Sequence, residues 1–295
     1  MLCAAALGAL ALIRMRGIFI TRDYLDRLPA RGSTVVFVDF RVLRSAKLLD
    51  VLSPGGEALD PEYKAFIAGT GFDYLKDLDY LIVSFHPEAM YTFAGGRFDW
   101  PKLTSYARTE GGQCMNLFCR MTGSTARRQI SFFAIRPNAL AMAVGPDSWA
   151  ATRLQDKTAD HFEAAVPDSP VWISIPSEKL RNMGPLDALL SPLADALPGG
   201  ERVSVQAALH GGTLEVEAAA RCRTAAEAQA LKVRMEAAAG AFRAASSRAE
   251  TAGAFAGLVD GIRLEATGER FWVRLPGALP ALRALLSRKD GAAAR

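Results

Sequence analysis

The stretch Val203–Ala218, VSVQAALHGGTLEVEA, decides how this chain is built. Val203, Val205, Ala207 and Leu209 alternate with Ser204, Gln206, Ala208 and His210. Successive side chains of a strand point to opposite faces, so this half is a strand with one dry side and one wet side. Gly211-Gly212 supplies the turn. Leu214, Val216 and Ala218 then alternate with Glu215 and Glu217 as the chain runs back. Such a hairpin pairs antiparallel, and its dry face needs an apolar cover.

The cover is written on both sides of the hairpin. Upstream, Leu186, Leu190, Leu193 and Leu197 keep helical spacing, with Pro192 as a kink. Downstream, Thr224-Ala-Ala-Glu227 matches a capping box and opens a helix with the stripe Ala228, Leu231, Met235, Ala238 and Phe242. Val171 to Ile175 reads as a strand before this set. Ile262 to Ala266 and Phe271 to Leu275 read as a second hairpin around Gly268-Glu269, and Leu279, Leu282, Leu285 and Leu286 as a closing helix.

The same order fits the earlier part of the chain. Thr34 to Phe40 is a strand by its β-branched and aromatic content. A short helix carries Leu48, Leu49 and Leu52 and stops at Pro54-Gly55-Gly56; Asp60-Pro61 opens another with Tyr63, Phe66 and Ile67. Asp79 to Phe85 and Met90 to Phe93 form a hairpin, and Asp99-Trp100-Pro101 opens a helix. Ile130 to Ile135 and Ala139 to Val144 form the next hairpin, and Asp147 caps the last helix. The expected fold is α+β: two tandem copies of a strand-helix-hairpin-helix-hairpin-helix unit, with antiparallel sheets and helices on one face. The expected divisions are a signal or membrane anchor at 1–20 and a tether at 21–32. A first domain at 33–155, a linker at 156–168, a second domain at 169–290 and a tail at 291–295 follow.

The uncovered faces differ between the copies. In the second, Ser204, Gln206, Glu215, Glu217, Arg263, Glu265 and Arg274 suit water through cross-strand charge pairs. In the first, both faces read as apolar: Tyr80 and Ile82 on one side of a strand, Leu81, Val83 and Phe85 on the other, with Phe132 and Phe133 pointing to opposite faces. A second apolar face needs a cover, which is the other domain, a second subunit or an apolar ligand. Tyr80, Ile82, Phe132 and Phe133 are therefore the candidate partner face.

Leu2 to Ile13 is an unbroken apolar run followed by Arg14 and Arg16. It is shorter than the roughly 20 residues of a spanning helix. An export signal or anchor lacking its basic leading piece, and a buried first helix, both fit; the first suits the charged segment Thr21 to Gly32 better. Cys114 and Cys119 flank Met-Asn-Leu-Phe. A turn at Met115-Asn116 would let them bridge, and an extended strand would not.

Composition excludes more than it assigns. The 35 basic and 31 acidic residues leave a net charge of +4, without the concentrated basic stripe that nucleic acid requires. His86, His161 and His210 lie far apart, so no metal site is expected. No nucleophile elbow, HExxH or phosphate loop occurs, and Gly69-Thr70-Gly71 precedes a strand, which is the wrong side for a dinucleotide turn. Asp73, Asp77 and Asp79 read as a polar turn around Lys76. No cofactor is expected.

Several stretches together resemble a family of uncharacterised bacterial proteins with an N-terminal anchor and a secreted body. They are Arg22 to Pro29, Thr70 to Tyr74 with Asp77 to Asp79, Gly96 to Asp99, Cys114 with Cys119, Ile130 to Phe133, and Trp172 to Pro176. The resemblance implies a place in the bacterial cell envelope, anchored to the membrane or exported to the periplasm, and brings no catalytic residues. The expected role is non-enzymatic binding of a protein partner, with membrane contact through the N-terminal segment. A small-ligand or lipid carrier is the alternative, and a hydrolase using His86 in an interdomain cleft is a third reading.

Overall fold

The computed structural model describes residues 21–49, 61–164, 166–181, 187–197, 199–210, 213–246 and 261–277. The apolar run at 1–20, the stop at Pro54-Gly55-Gly56, the cap at Asp60, the Gly211-Gly212 turn, the closing helix from Leu279 and the tail at 291–295 lie outside the described residues. The protein is α+β. Its described strands are β1 (Thr34–Asp39), β2 (Leu78–Phe85), β3 (Met90–Gly96), β4 (Gln113–Met115), β5 (Phe118–Thr122) and β6 (Gln129–Arg136). They continue as β7 (Ala139–Gly145), β8 (Val171–Pro176), β9 (Arg202–His210), β10 (Thr213–Arg221), β11 (Arg263–Thr267) and β12 (Arg270–Pro276).

The compact units do not follow the expected halves. One consists of 1–33 and 83–164, the other of 34–82 and 165–295. The reason is the pairing of β1: Val35 to Val38 lie antiparallel to Ser174 to Val171 of β8. The expected first domain at 33–155 thus gives up its opening strand to the second unit. β2 runs across the division, which falls between Ile82 and Val83.

The second unit carries the strand order β11-β12-β10-β9-β8-β1. The β9–β10 hairpin forms in the register Leu214 to Leu209, Val216 to Ala207 and Ala218 to Val205. Helices Asp187–Ala196 and Ala225–Ser246 cover its dry face. Leu193, Leu197, Val203, Leu231, Met235 and Phe271 form the core there. Thr224 Oγ1 accepts from Glu227 N–H at 3.2 Å, while the Glu227 carboxylate accepts from Arg223 N–H at 3.0 Å, so the capping box closes one residue early. On the wet face Gln206 donates to Glu217 at 2.7 Å, and Arg274 donates to Glu217 and Glu265 at 2.8 and 2.9 Å. Cross-strand pairing satisfies that face, as its alternation implied.

The first unit carries the order β3-β7-β6-β5-β4. Here helices do not keep to one face, which corrects the two-layer expectation. One face presents the row Cys119, Phe132, Met142, Thr92. The helix Trp100–Thr109 packs against β4 and β5 with Leu103 and Ala107 buried. Asp99 starts that helix by accepting from Lys102 N–H at 3.1 Å. The other face presents Phe118, Phe133, Ala141 and Phe93 in one row and Arg120, Ser131, Ala143 and Tyr91 in the next. Residues 21–27 are helical, and Tyr24 stacks on Phe93 with ring centroids 4.6 Å apart. The 3-10 turn Ala150–Leu154 adds to this cover, with Ala151 N–H donating to Ser131 Oγ at 3.0 Å.

The segment 21–32 is therefore part of the folded unit and not a tether. Tyr24, Leu25 and Leu28 are fully buried. Arg22 with Asp26 and Asp23 with Arg27 form ion pairs one turn apart, so the charges decorate the outer side of an amphipathic helix. The linker region is likewise engaged: Ala30 N–H donates to Asp160 O and Thr158 N–H to Asp26 O.

Candidate functional site

The four residues of the expected partner face do not form one. Ile82 is fully buried and Phe132 is 7% exposed. Tyr80 and Phe133 are half-buried. Phe132 lies on the face of the helix Trp100–Thr109, and Phe133 stacks on Phe118 at 6.1 Å on the opposite face. For Phe132 and Phe133 the cover comes from their own unit: the helix Trp100–Thr109 on one face and the segments around Tyr24 and Ala150 on the other. A partner could reach Ile82 or Phe132 only by opening the core.

Apolar surface is exposed instead at the β4–β5 hairpin. Met115 is 61% and Leu117 50% exposed, and Trp149, stacked on Phe118 of the same hairpin, is 39% exposed. Met115 pairs with Phe118, leaving the two-residue turn Asn116-Leu117. Asn116 takes φ 47°, a left-handed conformation that its short polar side chain tolerates. Phe118 stacks on Trp149 at 5.1 Å, and the Arg120 guanidinium lies 4.6 Å from the Trp149 ring centroid. Phe133, Phe118, Trp149 and Arg120 thus form a continuous stack, and Met115 of the tip is the strand partner of Phe118 within it. Cation–π contact keeps the Arg120 charge over the ring while its edge stays wet.

The hairpin is held at its base. Cys114 and Cys119 form a disulfide with Cα atoms 4.1 Å apart. Gly112 N–H donates to Ala107 O at 2.8 Å at the end of the helix. A Cβ at Gly112 would lie 2.6 Å from both Ala107 O and Arg120 O, so only glycine lets the helix end and β5 approach this closely. The turn falls one residue later than the sequence placed it, at Asn116-Leu117, because Met115 extends β4. The sequence did hold a signal for the tip: Leu117 stands where a two-residue turn ordinarily carries a polar side chain or glycine.

A second feature is a cleft of about 400 Å³ between Pro29 and the segment Thr152–Asp160. Of its lining charges, Arg153, Lys157 and Asp160 are engaged. Lys157 donates to Asp26 at 2.9 Å, Arg153 pairs with Glu88, and Arg31 lies 3.3 Å from Asp160. His86 stands nearby with Nε2 3.5 Å from Asp160 and Nδ1 accepting from Glu88 N–H at 3.3 Å. Both ring nitrogens are occupied. The cleft hydroxyls serve turns, since Thr152 donates to Trp149 O and Thr158 accepts from Asp160 N–H. A hydrolase built on His86 would need a nucleophile against a free nitrogen, and this arrangement offers neither.

Two carboxylate sets resolve into local structure. Asp73 caps a short helix through Leu75 N–H at 3.0 Å, Asp77 accepts from Asp73 N–H at 3.0 Å, and Asp79 pairs with Arg44 at 3.5 Å. Glu265 and Glu269 are tied to Arg274 and Arg221. Among the described residues no three His, Cys, Asp or Glu side chains are grouped to hold a metal, and no helix is long and apolar enough to cross a membrane.

No protein-family model matches the chain, and no curated protein does. Among solved structures it is similar to TP0453 in crystal form I, with a TM-score of 0.50 at 10% identity over 89% of this chain and 97% of that one. TP0453 crystal forms III and IV align with TM-scores of 0.47 and 0.46 at 10% and 11% identity, over 89% and 90% of this chain and 97% and 95% of those. The likeness to crystal form I is one of fold alone.

Proposed function

We propose that this chain is a non-enzymatic binding protein of the bacterial cell envelope that captures a folded protein partner through the β4–β5 hairpin. One observation carries the reading: Met115 and Leu117 project from a stapled turn, 61% and 50% exposed, on the hairpin whose Phe118 stacks on Trp149. A convex apolar knob on a rigid base loses little conformational freedom on binding and fits a concave pocket. Trp149 supplies the aromatic anchor common at such centres. The disulfide supports a place outside the cytoplasm, where such bonds persist. The apolar run Leu2 to Ile13 supports membrane attachment.

A carrier of small apolar ligands would need an enclosed apolar cavity. The cleft beside Pro29 is bordered by Arg153, Asp156, Lys157 and Asp160, which favours the docking reading.

The test is a photo-crosslinking residue at Leu117 in the anchored protein in its own cells. One discrete protein adduct is expected, lost when Met115→Asp and Trp149→Ser are added with the circular dichroism spectrum unchanged. A crosslinker at Phe85, 48% exposed elsewhere, should not give that adduct. Adducts to lipid alone, or a protein adduct indifferent to both substitutions, overturn the proposal.

A further inference from the structure

We infer that the Cys114–Cys119 disulfide is a thiol-addressed latch on the docking hairpin: opening it frees β4 and dissolves the apolar tip while the rest of the unit stays folded. The inference rests on the docking reading for its meaning, and deepens it by naming how capture would be switched.

The bridge is poorly placed to hold the whole fold. It joins residues five apart, and short loops gain least from cross-linking. It sits on β4, a strand of three residues at the end of its sheet. β5 is the only strand beside β4 in that order, so β4 has ladder bonds on one side only. Apart from the bridge, β4 is held by its short ladder with β5, by the helix Trp100–Thr109 against it, by the Arg120 side chain donating to Gln113 at 2.6 Å, and by the Gly112–Ala107 bond. Met115 and Asn116 follow Cys114 directly, so the tip depends on β4 keeping its place.

The two sulfurs differ in access. Cys119 is fully buried and Cys114 is half-buried. A thiolate from solvent therefore attacks Cys114 Sγ. The S–S bond breaks, a mixed disulfide forms at Cys114, and Cys119 leaves as a thiolate that takes a proton. A second thiol resolves the mixed disulfide, so two external thiols are oxidised to one disulfide as two cysteine thiols appear. Cys119 can remain in place as a small apolar side chain on the face of the helix Trp100–Thr109. The reductant is a low-molecular-weight thiol or a dithiol oxidoreductase.

The experiment is hydrogen exchange on the whole protein, oxidised and after dithiothreitol, alongside the double variant Cys114→Ser with Cys119→Ala. Opening the bridge should raise exchange at 113–120 by about tenfold or more while β3, β6 and β7 keep their protection. Brief iodoacetamide labelling should mark Cys114 before Cys119, with buried Cys222 as the slow internal control. Unchanged exchange at 113–120 in the double variant, or loss of protection across the whole unit, overturns the latch. The docking reading fails separately: a hairpin that loosens on reduction, with no protein adduct at Leu117 in the oxidised form, keeps the latch as a structural fact and removes its partner. An adduct that survives in the double variant does the reverse.

Discussion

Thr92 is 2% exposed, and its hydroxyl finds no hydrogen-bond partner among the described residues. It faces the same way as Met142 and Phe132. Desolvating a hydroxyl without a partner costs free energy, so Thr92→Val should stabilise the protein by about 1 kcal/mol, read as a higher urea midpoint. Ile82 and Phe132 give the opposite case. Ile82→Asp or Phe132→Asp buries a charge in a packed core and should cost about 3 kcal/mol or more. The loss should appear as unfolding, before any question of partner capture. Leu117→Asp, on the exposed tip, should leave the urea midpoint within about 0.5 kcal/mol of the parent. A large loss there would mean that the tip is packed and not displayed.

At the scale of the element, the helix at 21–27 is the most consequential. Leu25 is fully buried, and Leu25→Ala should cost about 2–4 kcal/mol in denaturant unfolding, where a tether residue would cost nothing. The helix is tied down by Asp26, whose carboxyl is held below its usual value, chiefly by the hydrogen bond from Lys157, against burial, which pulls it upward. A carboxyl with a lowered folded value binds protons less readily than in the unfolded chain. Its stabilisation is complete above the unfolded value near 4 and is lost as pH falls through the lower folded value. Lys157 is largely exposed, so the gain is less than about 1 kcal/mol. The difference in urea midpoint between the parent and Asp26→Asn should shrink as pH drops below about 4. Strands and the second unit's helices were legible in the sequence because their alternation and spacing are local. The helix at 21–27 was written there too, in Tyr24, Leu25 and Leu28 with ion pairs one turn apart, but its charges hid its dry side. The partner of β1 was not legible, since nothing in Thr34 to Asp39 specifies β8 over a nearer strand.

For the whole molecule, the division into 1–33 with 83–164 and 34–82 with 165–295 makes the linker at 156–168 a poor place to cut. A fragment of residues 33–155 would lack Tyr24, Leu25 and Phe162, all essentially buried, and would leave β1 without β8. It should fail to give a cooperative thermal transition, whereas a chain from residue 21 onward should give one. A well-folded fragment would restore the tandem boundaries. The same arrangement sets a timetable on the ribosome. Val38 is translated roughly ten seconds before Val171, its eventual neighbour, at ordinary rates of synthesis. Throughout that interval β2 can already flank one edge of this valine-rich ribbon, but the edge that β8 will cover stays open to self-adhesion between nascent copies. Slowing elongation ahead of Val171 should lower the soluble yield, and a chaperone that shields Thr34 to Asp39 should restore it.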